Sequence, residues 1–317
     1  MRFTIRHDDE GGWRRLHLED TLAGITATVI PAAGAILNAF SIRRGGHAVD
    51  TVDGFRDAAD WKERIERGFH SAKLSPFVCR VRDARYAWQG RDYRLGKFSL
   101  GDAAIHGLIY DAAFEPLLES AHTDHAEVEM KYAYTGSEPG YPFPYDCLVR
   151  YRLEADGLLS ITTAVHNRSS TDIPITDGWH PYFRFGDKID ALELEVRSSA
   201  MLEYDDAVIP TGRTIPGTDW TPGRRIGTTE LDNGFVLDFD QGQPLCTLSD
   251  PASGLCLRFE PDRSYPYLQL YTPPHRRSIA IENLSAAPDA FNNGIGLTVL
   301  GPDHTRTYTA RLRLGTC

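Results

Sequence analysis

The stretch Val128-Glu-Met-Lys-Tyr-Ala-Tyr134 places large apolar or aromatic side chains at every second position. This period of two is typical of a β-strand with one face in a core and the other toward polar surroundings. The same alternation recurs in residues 159–165, 192–196 and 308–314. Four such segments, spread over much of the chain, predict an all-β protein.

Turn and helix signals agree with this prediction. Asp250-Pro-Ala-Ser-Gly254 separates two apolar runs and predicts a hairpin with a longer loop. The best helical pattern runs over residues 57–69, where Trp61, Ile65 and Phe69 recur every four residues. Strands and helices do not alternate regularly, which disfavours a doubly wound sheet. We expect a large antiparallel β-sandwich with one or two short helices.

Length and composition indicate an ordinary globular protein. The chain has 317 residues, of which 41% are hydrophobic and 25% charged, so it has ample material for a core. No linker-like stretch divides it, and we expect a single domain over residues 1–317. The net charge of −10 argues against a nucleic-acid partner and gives no support for docking on a membrane.

The beginning of the chain and its cysteines favour a cytoplasmic location. Residues 1–10 lack the apolar segment of a secretory signal, and no run approaches the roughly 18 apolar residues that span a bilayer. The five cysteines are odd in number and widely spaced, which is typical of reduced thiols. The sequence leaves open whether the protein is a monomer or a homodimer.

Two segments each set one titratable residue among apolar and aromatic neighbours. Asp177-Gly-Trp-His180-Pro-Tyr-Phe183 offers an imidazole, and Ser278-Ile-Ala-Ile-Glu282 offers a carboxylate. Together they could give a proton at one atom and take one at another, which is general acid–base catalysis. The alternatives are that His180 is a packed structural histidine and that Glu282 faces solvent from an alternating strand.

Three further polar residues are candidates for ligand binding. His106 precedes Gly107, and a glycine lets the backbone approach a ligand closely. Arg80 lies in an otherwise apolar strand-like segment and could grip hydroxyl or carboxylate groups. Asp232 lies in a turn-like segment. Each also has a plainer interpretation: a loop histidine, a surface ion pair and a turn acid.

Common cofactor and metal motifs are missing from the sequence. We find no GxGxxG after a strand, no phosphate-binding GxxxxGK[ST], no HExxH, no GxSxG and no EF-hand loop. His122 and His125 lie three residues apart and could bind a metal, but a solvated turn is the favoured interpretation. We therefore predict no metal site, and nothing points to a nucleotide or redox cofactor.

Several segments, taken in chain order, resemble the aldose 1-epimerases (galactose mutarotases). The resemblance runs through most of the chain, and one departure is Cys79, where the family has an asparagine before its arginine. The matching segments are Leu74-Ser-Pro-Phe-Val-Cys-Arg80, Ile105-His106-Gly107, His180-Pro-Tyr-Phe183, Pro210-Thr-Gly212, Asp232 with Phe235, and Ile279-Ala-Ile-Glu282.

The resemblance implies a galactose mutarotase-like supersandwich with a sugar-binding cleft. It implies that Glu282 takes the proton of the anomeric hydroxyl and that His180 donates a proton to the ring oxygen, with no cofactor needed. The resemblance also implies that three residues contact the hydroxyl groups of the sugar: Arg80, His106 and Asp232. It implies that Trp179 stacks on a face of the sugar. The expected activity is interconversion of the α and β anomers of a free aldose.

Three other functions stay open from the sequence. A hexose-6-phosphate 1-epimerase would need basic residues at the rim of the cleft, and the paired arginines at 43–44, 224–225 and 276–277 are candidates. A sugar-binding protein without catalysis could use the same fold. A polysaccharide lyase or glycosidase is disfavoured, because a glycosidase normally needs two opposed carboxylates and the sequence offers one convincing candidate.

Overall fold

The computed structural model describes residues 1–317, with the side chain of residue 218 left out. Strands β1–β11 are Phe3–Asp8, Arg15–Asp20, Ile25–Ile30, Ile36–Arg44, His47–Asp50, Ala72–Leu74, Arg80–Val81, Arg85–Trp88, Arg91–Arg94, Ser99–Leu100 and Ala103–Ile105. Strands β12–β20 are Glu115–Ala121, His125–Tyr134, Tyr145–Glu154, Leu158–Asn167, Ile173–Ile175, Gly178–His180, Tyr182–Phe183, Glu193–Val196 and Ser198–Tyr204. Strands β21–β29 are Pro210–Ile215, Arg224–Arg225, Asp232–Leu237, Cys246–Asp250, Leu255–Phe259, Tyr267–Tyr271, Ile279–Leu284, Thr298–Leu300 and Thr305–Thr316. The α-helices are α1, Ala58–Gly68, and α2, Ala290–Asn293.

Three large sheets form the body of the protein. Their strand orders are β1-β2-β3-β4-β5, β12-β13-β14-β15-β29-β25-β24-β19-β22 and β21-β20-β23-β26-β27-β17-β6, with β18 also paired to β27. Neighbouring strands run antiparallel, for example across β13–β14, β15–β29 and β26–β27. The predicted all-β class, with two short helices, is confirmed.

The alternating segments bury one face between the sheets, as the sequence predicts. Val128 and Met130 are fully buried in β13, and Leu312 and Leu314 are buried in β29. They belong to the same continuous apolar core as Phe235 of the eight-stranded sheet. The hydrophobic effect therefore holds the sheets face to face, because each contributes every second side chain to one shared interior.

The predicted helix and hairpin are confirmed. Helix α1 begins after Asp57, whose side chain accepts a hydrogen bond of 2.8 Å from the backbone N–H of Asp60. It ends at Gly68, and the capping residue Phe69 adopts a left-handed conformation with φ of 52°. Strands β24 and β25 pair from Asp250 with Leu255 outward, which is the predicted hairpin.

In the chain as described, all five cysteines are free thiols, and Cys317 alone is exposed. Across the same residues, the helices are too short and too polar to cross a lipid bilayer.

Candidate active site

A cavity of about 260 Å³ opens on the eight-stranded sheet. This volume is near the lower end of the range for small-molecule pockets, about 300–1,000 Å³. Five of the six site residues predicted from the sequence line it: Arg80, His106, His180, Asp232 and Glu282. The fold therefore brings together side chains that lie up to 202 positions apart in the sequence.

Two neighbouring strands deliver the candidate acid and base. Glu282 lies on β27 and His180 on β17, and the two strands pair where Gly178 faces Leu284. The Nε2 atom of His180 lies 3.3 Å from Oε1 of Glu282. Glu282 is 2% exposed and His180 is 5% exposed, so this contact is almost fully removed from bulk water. The alternative in which Glu282 faces solvent is thereby excluded.

Burial opposes charge on both members of this pair. Desolvation raises the pKa of Glu282 well above its ordinary value, and the negative charge of Asp232 adds to the rise. Desolvation lowers the pKa of the His180 imidazole. The two shifts have opposite signs because a carboxyl group is neutral when protonated and an imidazole is neutral when deprotonated.

The His180–Glu282 pair has two buried polar atoms without a hydrogen-bond partner. Among the described residues, neither Nδ1 of His180 nor Oε2 of Glu282 has a hydrogen-bond partner. Buried polar atoms are nearly always satisfied in folded proteins, by protein groups, water or ligand. Both atoms are buried in residues that line the cavity, so the cavity wall contains unsatisfied polar groups.

His106 lies beside the pair because of its backbone conformation. Its φ is 64° and that of Gly107 is 79°, so two successive residues are left-handed. A Cβ atom at Gly107 would lie 2.5 Å from the backbone oxygen of Ser75, so only glycine fits there. The turn packs the His106 ring edge-to-face against His180, with ring centroids 4.7 Å apart.

A hydrogen-bonded chain of side chains holds Asp232. Gln269 donates through Nε2 to Oδ1 of Asp232 over 2.7 Å, and the Tyr204 hydroxyl donates to Oε1 of Gln269 over 2.9 Å. Gln269 lies directly opposite Glu282 in the β26–β27 register. Gln269 was not among the residues predicted from the sequence. Its signal was weak: one polar residue within the apolar run Tyr267-Leu-Gln-Leu-Tyr271.

Arg80 and Cys79 form another wall of the cavity. Arg80 is half-buried on β7, where it pairs with Ile105 of β11. Its positive charge opposes the desolvation that raises the pKa of Asp232. Cys79 adopts a φ of 48°, a left-handed conformation that asparagine accepts more readily than most residues. The thiol is buried, and its pKa is raised well above the ordinary value by desolvation.

The structure corrects the placement predicted for Trp179. Side chains alternate along a strand, so Trp179 on β17 points to the face opposite His180. It lies in the interior between the sheets, with its ring 6.1 Å from that of Tyr151 and 4.5 Å from Nζ of Lys73. Trp179 therefore does not reach the cavity that holds the other five residues. Stacking of this side chain on a bound sugar is excluded.

Other aromatic side chains line the cavity instead. The four that the sequence analysis missed are Phe69, Phe98, Tyr182 and Tyr271. Tyr182 could have been found from its position, because it lies two residues after His180 in an extended segment. Phe98 lies in a loop and carries no comparable signal.

The three arginine pairs lie apart from the cavity. In the described chain, the cavity wall contains Arg67 and Arg80 but no residue of the pairs 43–44, 224–225 and 276–277. Arg276 instead donates a hydrogen bond of 2.6 Å to Asp190. The basic rim predicted for a sugar phosphate is therefore not formed by these pairs.

Comparison with known proteins adds the family. The family model described as aldose 1-epimerase matches residues 15–313. The uncharacterized protein YihR of Escherichia coli is 28% identical over 238 residues, which are 72% of this chain and 73% of that protein. Galactose mutarotase of Sus scrofa is 25% identical over 248 residues, or 75% of this chain and 69% of that enzyme.

A solved structure shows the same fold. The galactose mutarotase-like protein of Clostridium acetobutylicum superposes with a TM-score of 0.86 at 18% identity, covering 100% of this chain and 99% of that one. At this identity the likeness concerns the fold alone.

Proposed function

The chain belongs to the aldose 1-epimerase family, and we propose that it interconverts the α and β anomers of a free aldose. One observation carries the proposal: Glu282 Oε1 and His180 Nε2 lie 3.3 Å apart in a cavity suited to a small molecule. A binding protein has no need of an adjacent acid and base. An anomer-exchanging enzyme needs both at the same point.

The chemistry of the anomeric centre explains why the two groups should be adjacent. The anomeric hydroxyl oxygen O1 and the ring oxygen O5 are bonded to the same carbon. Ring opening removes the proton from O1 and adds a proton to O5, so the base and the acid must reach neighbouring atoms. The short distance between Glu282 and His180 meets this requirement, since a single sugar carbon could face both side chains.

In the proposed reaction, the Glu282 carboxylate takes the proton from O1 while the C1–O1 bond becomes a carbonyl. The C1–O5 bond breaks, and the His180 imidazolium gives its proton to O5. Rotation about the C1–C2 bond presents the other face of the carbonyl. The steps then run in reverse, with His180 as the base and Glu282 as the acid. Each correctly placed acid or base is worth about 10²–10⁴-fold in rate.

The buried pair carries one proton in both halves of this cycle. Before ring opening it is a carboxylate beside an imidazolium, and afterwards it is a carboxylic acid beside a neutral imidazole. Desolvation raises the pKa of Glu282 and lowers that of His180, so it favours the second arrangement. The total charge of the pair stays at zero in both arrangements.

The remaining polar lining would orient the sugar. Arg80 would donate to hydroxyl oxygens, and Asp232 would accept from hydroxyl hydrogens, through charge-assisted hydrogen bonds. His106 would add a further hydrogen bond beside His180. Gln269 holds one oxygen of Asp232, which leaves its other oxygen for the ligand.

A panel of sugars tests the proposal. Saturation-transfer NMR measures anomer exchange for several aldoses and for glucose 6-phosphate, with the spontaneous rate in buffer subtracted. We expect faster exchange for at least one free aldose and little effect on the phosphate. Acceleration of the phosphorylated sugar alone would transfer the function to a sugar phosphate. Binding without acceleration would make the protein a sugar-binding protein and overturn the proposal.

A further inference from the structure

A cluster of metal-ligand side chains lies at the connection between β12 and β13. Ligand atoms of His122, His125 and Glu127 all lie within 4.8 Å of one another. His125 and Glu127 are two residues apart on β13, so their side chains share one face of the strand. The connection folds back so that the His122 N–H donates to the carbonyl oxygen of His125 over 2.8 Å. The histidine rings stack with centroids 4.5 Å apart.

Each histidine uses one ring nitrogen in a contact that leaves the other available. Nε2 of His122 lies 2.6 Å from Oγ of Ser120, which leaves Nδ1. Nδ1 of His125 lies 2.8 Å from Oδ1 of Asp124, which leaves Nε2. Nε2 of His125 is in turn 3.9 Å from Oε1 of Glu127. Metal-binding histidines typically donate their second ring N–H to a carboxylate or another oxygen in this way.

The exposure of the three side chains suits capture of an ion from solution. His122 is exposed, Glu127 is half-buried and His125 is 8% exposed. An ion could therefore reach the cluster, while the buried ligand is held in place by its surroundings. Arg152 is a competing charge, with Nη1 3.9 Å from Oε2 of Glu127. That contact uses the other carboxylate oxygen, so Oε1 stays directed at His125.

We propose that His122, His125 and Glu127 bind one divalent transition-metal ion of the zinc class. Two imidazole nitrogens and one carboxylate oxygen form a ligand set that zinc uses, with a fourth position left for water. Imidazole ligands select Zn²⁺, Ni²⁺ or Cu²⁺ over Mg²⁺ and Ca²⁺, which prefer oxygen. The site is separate from the cavity, because none of its three ligands lines it.

The bound ion would fasten an edge of the nine-stranded sheet. Strand β12 is its terminal strand and pairs only with β13 in that sheet, as described. The ion would tie the residue that follows β12 to two residues of β13. Edge strands are exposed to unwanted pairing, so this link would hold β12 in its native place. Because the ion binds the folded chain, it should also raise the melting temperature.

Calorimetric titration of the untagged, chelator-treated protein with ZnCl₂ tests the proposal, with MgCl₂ as a second titrant. We expect one zinc ion per chain, no response to magnesium and a higher melting temperature with zinc. His122→Ala and Glu127→Gln should each weaken zinc binding at least about tenfold. Asp124→Asn, which alters only the partner of His125, should weaken it by about 10–100-fold.

A control variant separates this site from general surface binding. His47 is an exposed histidine on β5, outside the cluster, and His47→Ala should bind zinc like the wild type. The proposal is overturned if the wild type does not bind zinc, or if folded His122→Ala binds it with unchanged affinity. Loss of binding in Cys317→Ser alone would assign the ion to the exposed thiol and would also overturn it.

Discussion

A fully buried ion pair lies behind the strand that carries His180. Nζ of Lys73 is 2.5 Å from Oδ1 of Asp177, and both side chains are 0% exposed. The Tyr265 hydroxyl donates to the same oxygen over 2.6 Å, and Nζ also donates to the Gly178 carbonyl over 3.2 Å. Strands β6 and β17 pair here. Lys73→Met should therefore leave the buried carboxylate of Asp177 without its cation, beside the strand that carries His180.

The expected loss is large because Asp177 cannot reach water. Removing one partner of a buried ion pair costs about 3–5 kcal/mol. For a chain of 317 residues, an unfolding entropy of about 2.1 cal/mol/K per residue converts this loss into a drop in melting temperature of roughly 5–7 °C. The double variant Lys73→Met/Asp177→Asn should recover part of the lost stability, because it also removes the unpaired negative charge of Asp177.

Urea and thermal unfolding of the two variants measure this effect. A matched control is Arg263→Met, which removes the exposed pair between Arg263 and Asp240, whose side chains are 74% and 90% exposed. We expect no measurable change there, because solvent screens exposed pairs. If Lys73→Met unfolds like the wild type, or if the double variant is less stable than Lys73→Met, the reasoning about the buried pair is refuted.

Three further predictions concern the cavity. Gly107→Ala should lower the free energy of unfolding in urea by at least about 1–2 kcal/mol, because an alanine side chain is strained at the φ of 79° found there. An unchanged urea midpoint would contradict this backbone strain. Arg80→Met should lower kcat/KM by roughly 10–100-fold, because a charged hydrogen bond to the sugar is lost. Trp179→Leu should leave KM unchanged, and a raised KM in the folded Trp179→Leu variant would show that Trp179 contacts the sugar after all. As the pH is lowered, the rate of anomer exchange should fall only below the ordinary histidine pKa of about 6.5, because burial lowers the pKa of His180. A fall that begins at or above that pH would contradict a neutral pair of carboxylic acid and imidazole.

The sequence predicted most of the fold because its signals are local. The alternation at Val128 and Met130 requires only one buried face, and the four-residue spacing of Trp61, Ile65 and Phe69 requires only one helix face. Such patterns do not reveal which strands become neighbours in a sheet. The order that places β27 between β26 and β17 follows from packing of the whole chain.

The site was predicted as far as local pattern and family resemblance reach. Glu282 was identified as a carboxylate in an apolar strand, and His180 as an imidazole in an aromatic segment. Gln269 was missed because its role comes from pairing opposite Glu282, which depends on the β26–β27 register. The prediction for Trp179 was wrong although a local pattern was available. Neighbouring residues on a strand point to opposite faces, so Trp179 points away from the cavity that His180 faces.

The cluster beside β13 shows the same limit. His122 and His125 were identified in the sequence, but two histidines in a turn are not enough to predict a metal site. The structure adds the carboxylate of Glu127 and places Ser120 and Asp124 against the two rings. These residues are sequence neighbours of the two histidines, but the pattern alone does not show which side chains turn toward one another at the β12–β13 connection.

The most direct test of the account is the rate of anomer exchange, by polarimetry, for wild type, Glu282→Gln and His180→Asn with the most responsive aldose. Circular dichroism and sugar binding first establish that both variants are folded. The account predicts that each substitution lowers kcat by at least about 100-fold, because each removes one proton-transfer group. Wild-type exchange rates in either folded variant would show that the buried pair does not carry the reaction.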